Sequence, residues 1–386
     1  MSGIKKIKNA LISVYYKDKL KPIIQQLGTL GINIYSTGGT QKFIEEQGIK
    51  CIPVESLTSY PSILGGRVKT LHPKIFGGIL SRRDLYSDNA QLIKYDIPEI
   101  DLVVVNLYPF KETILSAKEE KDIIEKIDIG GNSLIRAGAK NFKDVIIVPS
   151  KNEYGDLLSI LKESKGTSTL TQRKKFSKKA FNISSHYDTE IFNFFNDNDE
   201  NIFKQSIQTS QKLKYGENPH QKGIFYGKLD GLFTKIHGKE LSYNNLLDID
   251  AGLNLISEFN ETTFAILKHT NTCGIASRPI LLDAWKKALA CDPISAFGGI
   301  LITNKVIDIE TAKEINKLFY EVIIAPGYNE NALELLKLKK KRIILQQKNI
   351  KMPTKIFKSL LNGVIEQDKD LNTELKSDMK VVTKLT

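Results

Sequence analysis

Ile32-Asn33-Ile34-Tyr35-Ser36-Thr37-Gly38-Gly39-Thr40-Gln41-Lys42-Phe43 decides the fold class of the first half of the chain. A short apolar run over 32–35 stops at a paired-glycine turn and passes into a helical pattern that reaches about residue 47. Upstream, Ala-Leu-Ile-Ser-Val at 10–14 is a second such run, followed by a helical pattern over about 18–30. Downstream, Leu-Val-Val-Val at 102–105 ends in Asn106-Leu107-Tyr108-Pro109, and 145–148 is a further strand candidate. Short apolar runs alternating with longer helical periods predict βαβ units and a mainly parallel sheet. Ligands of such sheets collect outside the carboxyl ends of the strands, and the polar motifs are expected there.

Residues 170–195 read as a polar connecting helix ending within 193–200, which puts a domain boundary near residue 200. A second α/β region follows. Strands are expected at 223–226, 264–267, 299–302 and 322–325, and helices at 281–290 and 309–317. Lys337 to Arg342 reads as a solvated basic helix face. No repeat of solenoid length occurs.

At 386 residues, with 41% hydrophobic and 26% charged positions, two domains can each bury a core. No apolar stretch has the length of a membrane span. The basic first twenty residues lack the pattern of a secretory signal. Cys51, Cys273 and Cys291 are scattered, which excludes a zinc ribbon and argues against a disulfide framework; the expected compartment is the cytosol. The net charge is +12, yet only seven of the 56 basic residues are arginines. Nucleic-acid readout draws on the bidentate guanidinium fork, so the balance favours small anionic substrates over a nucleic acid.

Several motifs carry chemistry. Ser36, Thr37, Gly38, Gly39 and Thr40 open a helix after a strand, an arrangement suited to a phosphate; an ordinary glycine turn with Thr40 as N-cap also fits it. From Glu55 to Gly78 little periodicity is visible, and Gly65-Gly66-Arg67-Val68-Lys69-Thr70-Leu71-His72-Pro73 within it concentrates Arg67, Lys69 and Thr70 among glycines. Arg67 can clamp an anion and Lys69 can act as electrophile or proton donor; a solvated basic loop is the alternative. Asn106 and Tyr108 lie just past a buried strand. Asp128-Ile129-Gly130-Gly131 starts a helix with Lys140 about three turns on; a carboxylate and an ammonium there can share proton transfer, and a helix cap plus a surface lysine fits equally well. In the second half, Lys268 and His269 follow a buried strand, pairing a base with a cation. Lys214-Tyr215-Gly216-Glu217-Asn218-Pro219-His220 and Asp292-Pro293-Ile294-Ser295-Ala296-Phe297-Gly298-Gly299 complete the set, with Phe297 able to stack on a flat ring.

The ordered series STGGT, GGRVKTLHP, NLYPF, DIGG, AKN, KYGENPHQ, LSYNNLLDIDA, KHTNTCG and DPISAFGG resembles the bifunctional family that joins phosphoribosyl-aminoimidazole-carboxamide (AICAR) formyltransferase to inosine monophosphate (IMP) cyclohydrolase. The resemblance runs along essentially the whole chain. It implies a methylglyoxal-synthase-like parallel-sheet domain over residues 1–200 that closes the formylated ribotide to IMP. A cytidine-deaminase-like α/β formyltransferase domain over 201–386 is implied to follow. By the same resemblance, Ser13, Lys17, Ser36, Thr37, Gly38, Gly39, Thr40 and Arg67 match phosphate-site positions. Lys69, Thr70, Asn106, Tyr108, Asp128 and Lys140 match proton-transfer and orienting positions. Lys268 and His269 match the formyl-transfer pair, and Lys214, Tyr215, Asn245, Ser295, Phe297 and Gly298 match the nucleotide or folate pocket. Formyl-tetrahydrofolate is the implied co-substrate, with no metal or redox cofactor, and a homodimer is implied; no nucleic-acid or membrane partner is expected.

Three departures from the family pattern stand out. The first strand is followed by Tyr15-Tyr16-Lys17-Asp18, Lys214 replaces an arginine, and two downstream family motifs, a Lys-Ser-Asn stretch and an Asp-Ala-Phe-Phe-Pro type, do not occur before Thr386. A complete cyclohydrolase domain and an incomplete formyltransferase domain are therefore expected. Two other readings compete. A methylglyoxal-synthase-like lyase would leave KHTNTCG and DPISAFGG without purpose, and an RNA-binding module would need aromatics interleaved with arginines, which the sequence lacks.

Overall fold

The computed structural model describes residues 3–117, 119–196, 200–349, 353–372 and 376–382. The end assigned above to the connecting helix falls partly outside them. The chain divides into two compact units, Met1–Ser206 and Ile207–Thr386.

In the first unit, strands β1 (Asn9–Val14), β2 (Asn33–Ser36), β3 (Ile52–Pro53), β4 (Leu102–Asn106) and β5 (Ile146–Val148) form one sheet in the order β3-β2-β1-β4-β5. Every pairing is parallel. Alternate side chains enter two separate cores. Ala10, Ile12, Leu102 and Val104 pack with Ile23, Ile24 and Leu27 of the helix Lys21–Thr29. Leu11, Val103, Val105 and Ile147 pack with Ile75, Ile79 and Leu134 on the opposite face. Burial on both faces explains why these strands read as continuous apolar runs. The strand order reverses between β1 and β4, so a crevice opens at their carboxyl ends, beside Val14 and Asn106.

The connecting helix spans Leu170–Phe195 and begins with a capping box between Thr169 and Gln172. The stretch read as aperiodic contains two helices, Val54–Thr58 and Pro73–Leu80. The second was masked by its own composition. Pro73 occupies its first turn, the His72 ring accepts the Lys74 N–H at 3.2 Å, and Gly78 lies where a Cβ would meet Pro98 O at 2.3 Å.

The second unit contains a mixed sheet of β6 (Phe233–His237), β7 (Thr263–Lys268), β8 (Asn271–Ser277), β9 (Ile300–Thr303), β10 (Val322–Ala325) and β11 (Ile343–Gln347). Its order is β6-β11-β10-β9-β7-β8. Strands β9, β10 and β11 run parallel, while β6, β7 and β8 pair antiparallel. The strand expected near 223–226 is Ile224–Tyr226, but it pairs with Ser210–Lys212 in a separate ribbon. The segment Lys337 to Arg342 is not a solvated helix face. The helix Glu330–Lys337 ends there, and Arg342 is buried, donating to Asn316 Oδ1 and Leu336 O with its guanidinium over the Tyr320 ring. A bound, stacked guanidinium is what makes that burial tolerable.

Candidate active site

The crevice between β1 and β4 holds a cleft of about 700 Å³. One wall is built on the turn after β2. Thr37 is extended and caps the helix Gly38–Glu45 by position, so the N-cap is Thr37 and not Thr40. The first N–H groups of a helix have no partner within it and carry positive partial charge. Two ammonium groups converge there. Lys69 Nζ lies 3.7 Å from where a Cβ on Gly38 would be, and Lys17 Nζ lies 3.8 Å from the same point on Gly39. Glycine is what lets these cations and an anion approach the backbone together. The hydroxyls are used differently from expectation. Ser36 Oγ donates to Ile12 O at 2.7 Å, Thr40 Oγ1 to Val14 O at 3.0 Å, and Thr37 Oγ1 to Glu55 at 2.6 Å. They brace the turn against β1 and Glu55, and the turn's charge comes from its backbone and the two lysines.

Lys69 reaches this place from a strained loop. Leu64, Gly65 and Gly66 have φ of 54°, 63° and 91°, closed by an antiparallel bridge between Ile63 and Val68. The lysine folds back over Gly66, where a Cβ would stand 2.6 Å from its Cε. Arg67, on the same loop, is exposed and ion-paired with Glu125, which also lines the cleft. Thr70 is buried beneath Gly130, its Oγ1 3.3 Å from the position of a Cβ there.

The opposite wall comes from the end of β4 and the segment before the helix Ile129–Lys140. Asn106 is buried and binds backbone: its Oδ1 accepts the N–H groups of Tyr15 and Tyr16, and its Nδ2 donates to Tyr16 O at 3.1 Å. It therefore shapes the Tyr15-Tyr16-Lys17 turn and leaves little polar capacity for a ligand. Tyr108 packs edge-on to Tyr15 with centroids 5.4 Å apart, and Lys126 Nζ lies 5.5 Å and 5.7 Å from the Tyr15 and Tyr108 rings. Asp128 caps the helix, its Oδ1 accepting Gly131 N–H at 2.6 Å. A Cβ on Gly131 would sit 2.5 Å from the carboxylate. Burial pushes the Asp128 carboxyl above the ordinary carboxylate value, partly offset by the N–H groups of Gly131 and Tyr108. Burial, then Asp128 and Tyr15, also raise Tyr108.

Ser13, Lys17, Thr37, Gly39, Thr40, Arg67, Lys69, Thr70, Asn106, Tyr108 and Asp128 all line this one cleft. Lys140 does not join them. It is exposed at the far end of the twelve-residue helix that Asp128 caps, about 18 Å along the axis at 1.5 Å per residue. Glu125, Lys126 and Tyr15 line the cleft and were not anticipated; the signal available was that Glu125 and Lys126 directly precede the Asp128 motif.

In the second unit the Lys268–His269 motif stands at the carboxyl end of β7, as expected, while the 292–299 motif precedes β9 and so lies at the amino ends of β9 and β10. His269 and Thr270, with φ of 53° and 61°, form the tight turn of the β7–β8 hairpin. Thr270 N–H donates to Asp248 Oδ1 at 2.7 Å. Lys268 Nζ donates to Phe297 O at 2.9 Å, and the exposed Phe297 ring lies 5.1 Å from Phe319. Gly298, with φ of 79°, donates to Phe319 O. Other candidates are structurally occupied. Ser295 binds Asp292, lowering that carboxylate. Asn245 is buried in a capping box with Ser242 and donates to Glu321 at 3.0 Å. Lys214 is exposed over the Tyr215 ring. Among the described residues no group of three His, Cys, Asp or Glu can hold a metal, and no helix is long and apolar enough to cross a membrane.

Comparison with known proteins matches these features to one family. An MGS-like domain profile matches residues 19–133, and the AICARFT/IMPCHase bienzyme profile matches residues 138–386. The bifunctional purine biosynthesis protein PurH of Bacteroides thetaiotaomicron is 60% identical over 383 residues, covering 99% of this chain and 76% of that protein. The PurH proteins of Acetivibrio thermocellus and Petrotoga mobilis are 43% and 42% identical, each covering 98% of this chain and 76% of theirs. The chain belongs to the AICARFT/IMPCHase bienzyme family of purine biosynthesis, an MGS-like domain followed by formyltransferase sequence.

Proposed function

We propose that the chain acts in the last two steps of IMP formation and that the first-unit cleft is the cyclohydrolase site. The observation that carries the placement is the pairing of the two walls: a glycine-opened helix N-terminus flanked by Lys17 and Lys69 faces Tyr108 and a half-buried Asp128. The first wall suits the ribotide phosphate. The second suits the formylated carboxamide end. Ring closure forms a bond from the carboxamide nitrogen to the formyl carbon. One hydrogen from each nitrogen leaves with the formyl oxygen as water. Because nucleophile and electrophile are in one molecule, the protein's task is orientation and charge handling. Lys69 and the Tyr108 hydroxyl polarise the formyl oxygen, and Asp128 accepts the carboxamide proton, aided by a pKa raised toward the working pH.

For formyl transfer, the reading places formyl-tetrahydrofolate and AICAR at the Lys268–His269 turn. The AICAR amine attacks the formyl carbon, His269 takes the amine proton, and Lys268 leaves Phe297 O to meet the oxyanion; collapse then breaks the bond from the formyl carbon to the folate nitrogen, which takes a proton and leaves as tetrahydrofolate. Phe297, with Phe319 behind it, offers a face for a flat ring. The domain boundary near residue 200, a homodimeric working state and a cytosolic location belong to the same reading, supported by the family resemblance.

Purified protein should convert formylated AICAR to IMP, followed by ultraviolet absorbance. A rate equal to the uncatalysed background defeats the cyclohydrolase reading. Formyl transfer is assayed separately with formyl-tetrahydrofolate, and light scattering of the purified chain tests the dimer.

A further inference from the structure

Tyr187, on the helix Leu170–Phe195, is absent from every motif above and does not line the cleft. Its hydroxyl accepts the N–H of Asp128 at 2.8 Å and donates to the carbonyl of Lys126 at 2.5 Å. The backbone between the helices Glu120–Ile124 and Ile129–Lys140 is irregular, so these two groups have no ladder or helix to satisfy them. One phenol serves both. Its ring is fixed in turn within a small apolar cluster with Phe110 and Ile123, against which Leu107 and Ile127 pack. That cluster borders both segments of the catalytic wall, 106–108 and 124–128, through Leu107 and Ile127, while Phe110 and Ile123 themselves do not line the cleft. A second tie, Asn132 Nδ2 to Asp188 at 2.9 Å, holds the next helix to the same element.

We propose that Tyr187 is a positioning residue for ring closure, its hydroxyl holding residues 126–128 so that the Asp128 carboxylate and the Lys126 ammonium face the cleft. The proposal rests on the cyclohydrolase reading of that cleft. Tyrosine is required over phenylalanine because only the hydroxyl can bridge a donor and an acceptor two residues apart. The phosphate wall is built on other segments, so the bridge acts on turnover and leaves ribotide binding alone.

Tyr187→Phe in the full chain keeps the buried ring and removes the bridge. The expected result is a kcat for ring closure lowered on the order of tenfold or more, with KM for the formylated ribotide within about twofold and faster hydrogen exchange at the Asp128 amide. Phe110→Leu loosens the same cluster and leaves the hydroxyl, so it lowers the thermal midpoint and retains kcat. A Tyr187→Phe protein with kcat within twofold of the parent overturns the proposal. So does an equal kcat loss in Phe110→Leu, which would make packing the cause. Asp128→Asn separates the two levels of argument. If it loses activity while Tyr187→Phe does not, only the positioning role fails; if it keeps full activity, the catalytic reading and the positioning role fall together.

Discussion

Replacing Gly66 by alanine tests whether the placement of Lys69 matters to turnover. Gly66 has φ of 91°, a conformation that costs an L-residue about 1–2 kcal/mol. The new Cβ would stand 2.6 Å from Lys69 Cε and 2.9 Å from Nζ. Carbon atoms pack at about 3.5 Å or more, so the lysine must retreat by close to 1 Å. The end of a lysine moves easily, and the stability cost stays near the backbone term. Catalysis is less forgiving, because a displacement of about 1 Å can lower a rate on the order of a hundredfold. Gly65→Ala is the internal control. Its φ is 63°, yet nothing lies within 4 Å of its Cβ position, so it carries the backbone cost without the clash. Urea unfolding and steady-state ring closure should show two variants destabilised alike, of which only Gly66→Ala loses most of its kcat. Equal kcat in the two variants would refute the role given to Lys69 above Gly66.

Asp128→Asn should be inactive in ring closure yet at least as stable as the parent at neutral pH, since asparagine is an equally good N-cap. The native pKa of Asp128 is raised, so the folded state holds its proton more tightly than the unfolded one. Parent stability therefore declines as pH rises from the ordinary carboxylate value through the raised one, and urea midpoints of the asparagine variant should lack that component. Asn106→Ala strands the N–H groups of Tyr15 and Tyr16; unfolding should show a loss of about 3 kcal/mol, with a raised KM as the Lys17 turn loosens. Gly299→Ala puts a Cβ 2.5 Å from Leu267 O between β9 and β7, and thermal melts should report a loss of about 3 kcal/mol.

The first sheet was legible because its strands are buried on both faces and separated by amphipathic helices, so periodicity alone marks them. The helix Pro73–Leu80 was hidden because Pro73, Gly77 and Gly78 read as loop, although each has a packing or capping reason. Strand β6, at a sheet edge, buries Phe233 alone and so shows no alternation, and β11 follows a basic cluster; neither announces itself locally. Arginines illustrate the limit of composition. Arg173 donates to the carbonyls of Phe142, Ser168, Gly3 and Lys143, and Arg83 binds Asp101 and Ile100 O. Together with Arg342, these guanidiniums fasten distant chain segments, a role that only tertiary structure reveals. The cleft residues were legible as motifs, but their division of labour was not. Asn106 and Asn245 look like ligands in sequence and act as backbone clamps, while Tyr187 reaches the catalytic wall from about sixty residues away, with no local signal at all.

The turn His269-Thr270 has a consequence for how the second unit can evolve. Two successive left-handed residues at a two-residue hairpin are ordinarily supplied by Asn-Gly or Gly-Gly, and here neither position is glycine. The chain accepts conformational strain of about 1 kcal/mol or more at each residue, held in place by the Asp248 acceptor and the paired strands on either side. Glycine at 270 would relax that strain and raise stability, but it would also free the backbone that aims the imidazole. Selection for thermal robustness and selection for a fixed His269 therefore pull this turn in opposite directions.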